Sequence, residues 1–458
     1  MTRFASYLLL LGTCVAFLPP SSFHRRSRLS STVVKEPTIV DTDSTAATSV
    51  VPPPGQAEDA LFDCDGSVAF WKNFQRSGLA SDAENLREIA AVGSRFASYE
   101  GGLDYWTRHV ARSGYFATNA ALGVAASTLH DRFLRNDSTA KQFVQGVSAG
   151  ITRLLLESAL AYEQDFLRIR EGLYKKPYDM FESTRQSSPL FVATQTARFV
   201  REAVGTLTRR KRGAESDKKI WIDSDMYPDY YRTAFHYQTD GWMSKESADV
   251  YETSTETLFV GRQDAMQRTA LPEIVQLARK QQSNDQPLRI LEVACGTGRF
   301  LTFLRDNLPT DAQVTGVDLS PFYLEAAREN DREWRKLRGG NPSPSTLVQA
   351  RAEELPFDDE SFDAVVCVYL FHELPRDVRG QVAREMARVV RPGGTVVLTD
   401  SIQLGDRPVL DAAIGNFQNM NEPFYRDYIA DDLPSHFAGL ECGSKMQCAS
   451  TKTLTFRK

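Results

Sequence analysis

Residues 290–300 read Ile-Leu-Glu-Val-Ala-Cys-Gly-Thr-Gly-Arg-Phe. The apolar run from Ile290 to Val293 predicts a short buried strand that carries Glu292 near its carboxyl end. The Gly-Thr-Gly turn that follows predicts a sharp reversal into a helix, with backbone N–H groups available at the end of the strand. This arrangement is typical of a nucleotide-type site. A dinucleotide site requires a third glycine where Leu301 stands, and a P-loop requires Gly-Lys-Ser/Thr, so the sequence matches neither motif.

Strands and helices alternate from this run onward. Short β-branched segments predict strands at 289–293, 313–317, 346–349, 363–368 and 395–399. Amphipathic segments predict helices at 300–307, 321–336, 376–390 and 406–417. The alternation predicts an α/β fold, a Rossmann-like doubly wound parallel sheet with helices on both faces. Residues 440–458 lack a helical pattern and predict a terminal antiparallel hairpin on the edge of that sheet.

Three further motifs follow in order. Val317-Asp318-Leu319-Ser320 places a carboxylate 22 residues after Gly296, close to the spacing of about 20 at which dinucleotide folds place an acid on the ribose. The others are Ala352-Glu353-Glu354-Leu355-Pro356-Phe357, continued by Ser361-Phe362-Asp363, and Arg391-Pro392-Gly393-Gly394. With residues 290–300, these motifs resemble those of the class I S-adenosylmethionine (SAM)-dependent methyltransferases of type 11. The four motifs stand in register over about 110 residues.

The resemblance implies SAM as the cofactor. It implies that Gly296 and Gly298 admit the methionine part, that Glu292 orders this loop, and that Asp318 binds the ribose diol. The adenine is expected beside Leu319. Many relatives have an Asp where this chain has Arg351, and Glu353 is the candidate substitute. The predicted cofactor-binding residues are Glu292, Ala294, Cys295, Gly296, Thr297, Gly298, Asp318, Leu319, Ala352, Glu353 and Tyr369.

Methyl transfer is an in-line displacement, so such a protein mainly aligns the reactants and excludes water. A general base is needed only if the acceptor carries a proton. His372, after the fourth strand, is the candidate catalytic base. The alternative is that His372 orients its loop through hydrogen bonds.

An aromatic block runs from Tyr227 to Trp242. Its interleaved polar and aromatic side chains predict a lid over cofactor and substrate. The block resembles one found in plastid and cyanobacterial methyltransferases of mostly unassigned substrate. His236 and Asp240 are the candidate catalytic or cofactor-positioning residues in it. The alternative is that the aromatic residues only dock a helical region on the sheet.

Several partners are disfavoured. The 54 basic and 59 acidic residues give a net charge of −5, which provides no broad basic surface, so nucleic acid is not an expected partner. No cluster of histidine and carboxylate is recognisable, so no metal is expected. The five cysteines beyond Cys14 are odd in number and lack metal-ligand spacing, which indicates reduced thiols.

Residues 1–35 differ from the rest because they contain five basic residues and no acid, which leaves −10 for the remainder. The apolar stretch from Tyr7 to Leu18 predicts a signal-peptide core, and the acid-free segment from Ser21 to Val34 predicts a transit peptide. This tandem resembles the bipartite plastid (chloroplast) presequences of diatoms and related algae, because cleavage after Ala16 exposes Phe17. The alternative is a secretory signal followed by a disordered arm, or a buried helix.

The chain is divided as follows: presequence 1–35, disordered linker 36–58, all-helical domain 59–213, connecting segment with the lid 220–285, and methyltransferase domain 286–458. Phe116 to Ala126 is too short to span a bilayer and predicts a core helix, with peripheral membrane contact as the alternative. The basic run at 209–212 predicts a solvated loop. The expected function is methylation of a small, lipophilic or aromatic acceptor. The rival is a non-catalytic SAM-binding assembly or regulatory protein.

Overall fold

The computed structural model describes residues 53–75, 81–134, 151–180, 188–212, 224–281, 286–415, 417 and 421–458. The helices before the sheet are α1 Pro54–Asp59, α2 Gly66–Asn73, α3 Asp82–Ser98, α4 Gly102–Leu134, α5 Ile151–Arg170, α6 Pro189–Arg212, α7 Lys245–Leu258, α8 Gln263–Gln267 and α9 Leu271–Gln281. The predicted presequence and residues 36–52 of the predicted linker lie outside the described residues.

The strands are β1 Asp63–Cys64, β2 Arg289–Val293, β3 Gln313–Asp318, β4 Thr346–Gln349, β5 Phe362–Val368, β6 Val390–Ser401, β7 Glu441–Cys448 and β8 Thr451–Arg457. The later helices are α10 Arg299–Asn307, α11 Pro321–Leu337, α12 Arg376–Val389, α13 Asp411–Ile414, α14 Tyr425–Tyr428 and α15 Leu433–His436. Short 3-10 turns occupy Tyr178–Met180, Asp229–Tyr231, Phe235–Tyr237, Arg268–Ala270, Phe371–Glu373 and Pro408–Leu410.

The described strands form one sheet in the order β1-β7-β8-β6-β5-β2-β3-β4. Strands β2 to β6 are parallel to one another, and β8 lies antiparallel between β6 and β7. Counted among themselves, the five parallel strands run 3-2-1-4-5, the order of a doubly wound Rossmann-type sheet that reverses between β2 and β5. The predicted fold class is confirmed.

Helices cover both faces of the sheet. On one face Leu291 and Val365 pack in a core with Met386 of α12. On the other face Ile290 and Val366 belong to a core that includes residues of α9 and α10. Parallel strands with both faces covered need continuous apolar runs, which is why every residue of β5 is buried.

The predicted helix over 406–417 is wrong. A 3-10 turn at Pro408–Leu410 and the four-residue α13 replace it. Arg407 has an extended backbone with φ −138° and ψ 85°, and its buried guanidinium donates to the Glu157 carboxylate at 3.0 and 3.2 Å. A tertiary ion pair therefore overrides the local helical pattern.

The terminal hairpin is confirmed, but its predicted position on the sheet edge is wrong. The two-residue β1 pairs in parallel with β7, so β7 is not the last strand. The prediction of a disordered linker is also wrong for residues 54–58, which are helical. Glu58 of this helix is 1% exposed and lies 3.2 Å from Lys445 Nζ, because it neutralises a cation that the sheet buries.

Among the described residues of the region 59–213, β1 is the only strand and the other regular elements are helical, so the description "all-helical" is corrected at β1. Trp71, Phe96 and Phe166 share a core with Ala449 in the turn between β7 and β8, which joins the helices to the sheet. In α4, Phe116, Ala117, Ala120 and Ala121 are buried, as the core-helix interpretation requires. Among the described helices, none combines the length and apolar character that crossing a bilayer requires.

The basic run at 209–212 forms the last turn of α6 rather than a loop. Arg209 donates through Nε to the backbone oxygen of Tyr237 at 2.6 Å and through Nη2 to Glu202 Oε1 at 2.6 Å. Glu202 also accepts from the backbone N–H of Thr239 at 2.8 Å. The end of α6 therefore fixes the segment that was predicted to be a lid.

Candidate active site

A crevice lies at the carboxyl ends of the parallel strands, where the strand order reverses between β2 and β5. Seven predicted cofactor-binding residues line it, namely Ala294, Gly296, Asp318, Leu319, Ala352, Glu353 and Tyr369. Tyr230, Tyr231 and Trp242 of the aromatic block also line it. Its volume is about 100 Å³, whereas ligand pockets usually occupy roughly 300–1,000 Å³. In this conformation the crevice is therefore smaller than a typical ligand pocket.

The glycine turn brings backbone to the crevice. Ala294, Gly296 and Gly298 all have positive φ, at 56°, 54° and 75°. A Cβ added to Gly298 would lie 3.0 Å from Ala327 Cβ, so close packing against α11 requires glycine there. A Cβ added to Gly296 would meet only Tyr323 Cδ1 within 4 Å. The missing side chain of Gly296 thus leaves room on the crevice side for a ligand to approach the backbone.

Asp318 ends β3 and joins two loops of the crevice. Its Oδ2 accepts from the backbone N–H of Gly296 and its Oδ1 from that of Ser320, both at 2.8 Å. Burial raises the pKa of Asp318 to about 6. The carboxylate is therefore ionised at neutral pH and can accept hydrogen bonds from sugar hydroxyls.

Glu292 is buried in β2 beside the crevice, not on its surface. Its Oε2 has no hydrogen-bond partner among the described residues. Burial and the neighbouring Asp318 raise the pKa of Glu292 well above its ordinary value. A buried, unpartnered carboxyl oxygen is costly unless a cation or donor meets it, so this position fits an ammonium group.

The loop after β4 meets the aromatic block. Tyr230 donates its hydroxyl hydrogen to Glu353 Oε1 at 2.8 Å, and Glu353 Oε2 is buried without a partner among the described residues. Arg351 donates through Nε to the backbone oxygen of Met226 at 2.9 Å. The residue that departs from the family pattern thus contacts the segment at the start of the aromatic block, while one oxygen of Glu353 has no partner among the described residues.

Three other predicted cofactor residues have their side chains or Cα positions outside the crevice. Cys295 is buried in the core behind the turn, and Gly298 packs on α11. Thr297 donates through Oγ1 to Glu252 Oε1 at 2.8 Å and lines a neighbouring cavity of about 700 Å³. These residues shape the turn, and their side chains do not face the crevice.

His372 is buried after β5 in the Phe371–Glu373 turn. Its Nδ1 lies 2.6 Å from Asp400 Oδ1. Asp400 also accepts from the backbone N–H of Phe371 at 2.8 Å and of Ser401 at 2.7 Å, which fixes the carboxylate. Although burial opposes the charged form, Asp400 raises the pKa of His372 to about 9. The imidazole is therefore protonated at neutral pH, which favours the orienting role over that of a general base.

His236 lies in the aromatic block with a positive φ of 55°. Its Nδ1 lies 2.9 Å from Glu422 Oε1 and its Nε2 lies 3.4 Å from Glu373 Oε1. Burial again opposes the charge, but these carboxylates raise the pKa of His236 to about 10. His236, His372 and Glu422 bring one ligand atom each within 4.8 Å of one another. The prediction that histidines and carboxylates form no cluster is therefore wrong.

Asp240 is not among the described residues that line the crevice. It lies in the turn after His236 with φ 60°, and its backbone oxygen accepts from Met243 N at 3.0 Å. Two crevice residues that sequence reasoning missed are Tyr251 and Tyr323. Tyr323 follows the capping Ser320 at the start of α11, a position that the Asp318 motif could have indicated. Glu422 had no such signal, because it lies in an irregular segment.

The fold and the crevice define a doubly wound α/β protein with a nucleotide-type site at its switch point. Residues 290–394 match the family model described as a methyltransferase domain. This part of the sheet is therefore similar to a methyltransferase domain, and the cofactor that the match implies is SAM.

Curated relatives match the same part of the chain. The phosphatidylethanolamine N-methyltransferase of Cereibacter sphaeroides is 37% identical over 133 residues, which are 29% of this chain and 60% of that protein. The demethylmenaquinone methyltransferase of Listeria welshimeri is 32% identical over 131 residues, which are 29% of this chain and 50% of that protein. The chain thus spans 50 to 60% of the length of these relatives. A solved putative O-methyltransferase from Nostoc punctiforme is 17% identical with a TM-score of 0.39, and the match covers 70% of this chain and 88% of that one.

Proposed function

We propose that this protein is a SAM-dependent methyltransferase that acts on a small, lipophilic or aromatic acceptor. The observation that carries the proposal is the hydrogen bond from the backbone N–H of Gly296 to Asp318 in the crevice where the strand order reverses. Both residues lie in the segment that matches a methyltransferase domain. The aromatic side chains around the crevice, including Tyr251 and Trp242, support an acceptor of this kind.

The residues present fit the cofactor. Asp318 would accept from the ribose hydroxyls, Gly296 would face the methionine part, and the unpartnered Oε2 of Glu292 would meet its ammonium group. Leu319 would pack on the adenine, and Glu353 would accept from its amino group through the oxygen that Tyr230 leaves unused. When bound, the cofactor supplies a methyl group that a sulfonium centre has already activated.

The work left to the chain is alignment, water exclusion and proton transfer. Tyr230, Tyr231 and Trp242 exclude water when they cover the crevice. Glu373 is a crevice carboxylate whose pKa burial raises above its ordinary value, so it is a stronger base than an exposed glutamate. Glu373 can therefore accept a proton from a hydroxyl, thiol or amine acceptor, while His236 contacts that carboxylate at 3.4 Å.

Turnover is tested with the full chain, methyl-labelled SAM, and lipid and polar extracts of a plastid-bearing alga. We expect label in a small organic molecule, with Asp318→Ala inactive and the exposed Asp311→Ala as active as the wild type. Demonstrated SAM binding with no labelled product from any extract would instead favour the non-catalytic SAM-binding alternative. Label in protein or nucleic acid alone would contradict the acceptor class.

We also propose that the protein acts in the plastid of an alga with complex plastids. The composition of residues 1–35 and the Ala16-Phe17 junction support this location. A fluorescent protein fused after residue 60 is expected in the plastid, and a Phe17→Ala variant is expected to stay outside it. Secretion of the unmodified fusion would contradict the proposal.

A further inference from the structure

We infer that His236, His372 and Glu422 form a binding site for one divalent transition-metal ion. The three residues come from the aromatic block, the turn after β5 and the segment before α14, which are far apart in the chain. Each offers one ligand atom, and these atoms all lie within 4.8 Å of one another. The inference goes beyond the proposed methyl transfer and does not depend on it.

His372 is oriented as metal-binding histidines usually are. Its Nδ1 is engaged by Asp400 Oδ1 at 2.6 Å, so Nε2 is the atom that binds an ion when the ion displaces its proton. That Nε2 lies 3.6 Å from Glu373 Oε1, beyond hydrogen-bonding distance. A carboxylate that holds the remote nitrogen of a ligating histidine fixes the ring and its tautomer. Asp400 is itself held by two backbone N–H groups, so the ring is positioned before any ion binds.

Glu422 provides an independent observation that favours a bound ion. It is 1% exposed, and its Oε1 lies 2.9 Å from His236 Nδ1. Its Oε2 is buried and has no hydrogen-bond partner among the described residues. A buried carboxylate oxygen left without a partner costs free energy, and an ion bound between Glu422 and the two imidazoles removes that cost.

The backbone conformation and the partial exposure of His236 both suit a metal ligand. Its left-handed backbone conformation, with φ 55°, is uncommon for a residue other than glycine and directs the ring into the cluster. The side chain is 30% exposed, so an ion can enter along it. Its Nδ1 lies 2.9 Å from Oε1 of Glu422, the carboxylate ligand of the proposed site.

The donor set selects the class of ion. Two imidazole nitrogens and one carboxylate suit Zn²⁺, Fe²⁺ or Mn²⁺, whereas Ca²⁺ and Mg²⁺ prefer oxygen ligands. Glu373 stands between the cluster and the crevice because it contacts both histidines and also lines the crevice. An ion with an open position at this place could bind an oxygen of the acceptor.

The test uses the full chain, freed of any affinity tag, stripped with a chelator and dialysed. Zn²⁺ is titrated by calorimetry, Co²⁺ is followed by its visible absorption, and bound metal is counted by mass spectrometry. We expect one equivalent of ion per chain. Glu422→Gln, His236→Gln and His372→Gln should each weaken binding at least 100-fold, and Asp400→Asn should weaken it 10- to 100-fold.

The matched control is His436→Gln. His436 also pairs with a buried carboxylate, Asp431 at 2.8 Å, but it is not part of the cluster. This variant should bind the ion as the wild type does, and circular dichroism verifies that each variant is folded.

Wild-type protein that binds no stoichiometric ion would overturn the inference whatever the variants do. Equal affinity of folded Glu422→Gln would overturn it too, and would leave a network of protonated imidazoles and carboxylates as the description of the cluster. SAM binding is measured on the same samples. A chain that binds the ion but not SAM would therefore contradict the proposed function alone, and the reverse result would contradict the metal site alone.

Discussion

The carboxylate of Asp318 and the backbone N–H of Gly296 are joined by a hydrogen bond of 2.8 Å between the loops that follow β3 and β2. The other oxygen of Asp318 accepts from Ser320 N at the start of α11. One side chain therefore shapes the glycine turn and faces the crevice. The geometry of the turn and the affinity for a ribose-containing ligand should depend on the same group.

Asp318→Asn should weaken SAM binding by about tenfold or more. An amide group presents a donor to at least one of the positions where the carboxylate now accepts, and hydrogen bonds to a charged acceptor are the stronger kind. Isothermal calorimetry measures the affinity, and the exposed Asp311→Asn serves as the matched control. Unchanged affinity in Asp318→Asn would refute the assignment of this residue to the ribose.

SAM affinity should rise between pH 5 and pH 7 in the wild type. Burial raises the pKa of Asp318 to about 6, so the group is largely protonated at pH 5 and ionised at pH 7. Only the ionised form accepts through both oxygens, hence affinity is lost as the pH falls through 6. Asp318→Asn should lack this part of the dependence, and an identical pH profile in the two proteins would contradict the prediction.

Glu292→Gln should reduce SAM affinity about tenfold without reducing stability. The carboxyl oxygen Oε2 has no partner among the described residues, so the replacement breaks no hydrogen bond at that atom in the free protein. In the complex the same replacement removes the charge that meets the ammonium group. Calorimetry and thermal unfolding measure the two effects, with the exposed Glu354→Gln as control. A large loss of thermal stability would point to a structural role for Glu292.

Tyr230→Phe should loosen the lid. The hydroxyl of Tyr230 donates to Glu353 at 2.8 Å and links the aromatic block to the loop after β4. Hydrogen–deuterium exchange in residues 224–243 should become faster in the free variant and slow again when SAM is added. Tyr115→Phe, in the distant α4, should leave that exchange unchanged. Equal exchange in the wild type and Tyr230→Phe would show that this bond does not hold the lid.

Arg407→Met should destabilise the whole chain by about 3 kcal/mol. Removing the Arg407 guanidinium takes away the partner that lies 3.0 Å from the buried Glu157 carboxylate, whereas Arg262 lies 4.0 Å from it. Breaking a buried ion pair typically costs about 3–5 kcal/mol. Urea unfolding measures the loss. The pair of the exposed Lys245 and the half-buried Asp249 gives the control, since Lys245→Met should change stability by less than about 1 kcal/mol. A comparable loss in both variants would contradict the special role of the buried pair.

Local patterns in the sequence were sufficient for the parallel sheet. A strand such as 289–293 is recognised because both of its faces are buried, and its length and composition carry that information without reference to the rest of the chain. The same holds for the glycine turn and for Asp318, whose positions follow from strand ends. Where a distant ion pair controls the backbone, as at Arg407, the local pattern predicted a helix that does not form.

The sequence by itself therefore determined the doubly wound sheet, the glycine turn and the acid at the crevice, because these depend on neighbours within a few residues. Only the tertiary structure decided that Glu58 neutralises Lys445, that β1 covers the hairpin, and that Glu422 meets two histidines. A glutamate in an irregular segment has the same local sequence signature whether it is solvated or buried. The physical difference lies in the tertiary contacts that the glutamate makes after the chain has folded. Burial makes an unpaired charge costly, so a buried glutamate needs a partner, and that partner can come from any part of the chain.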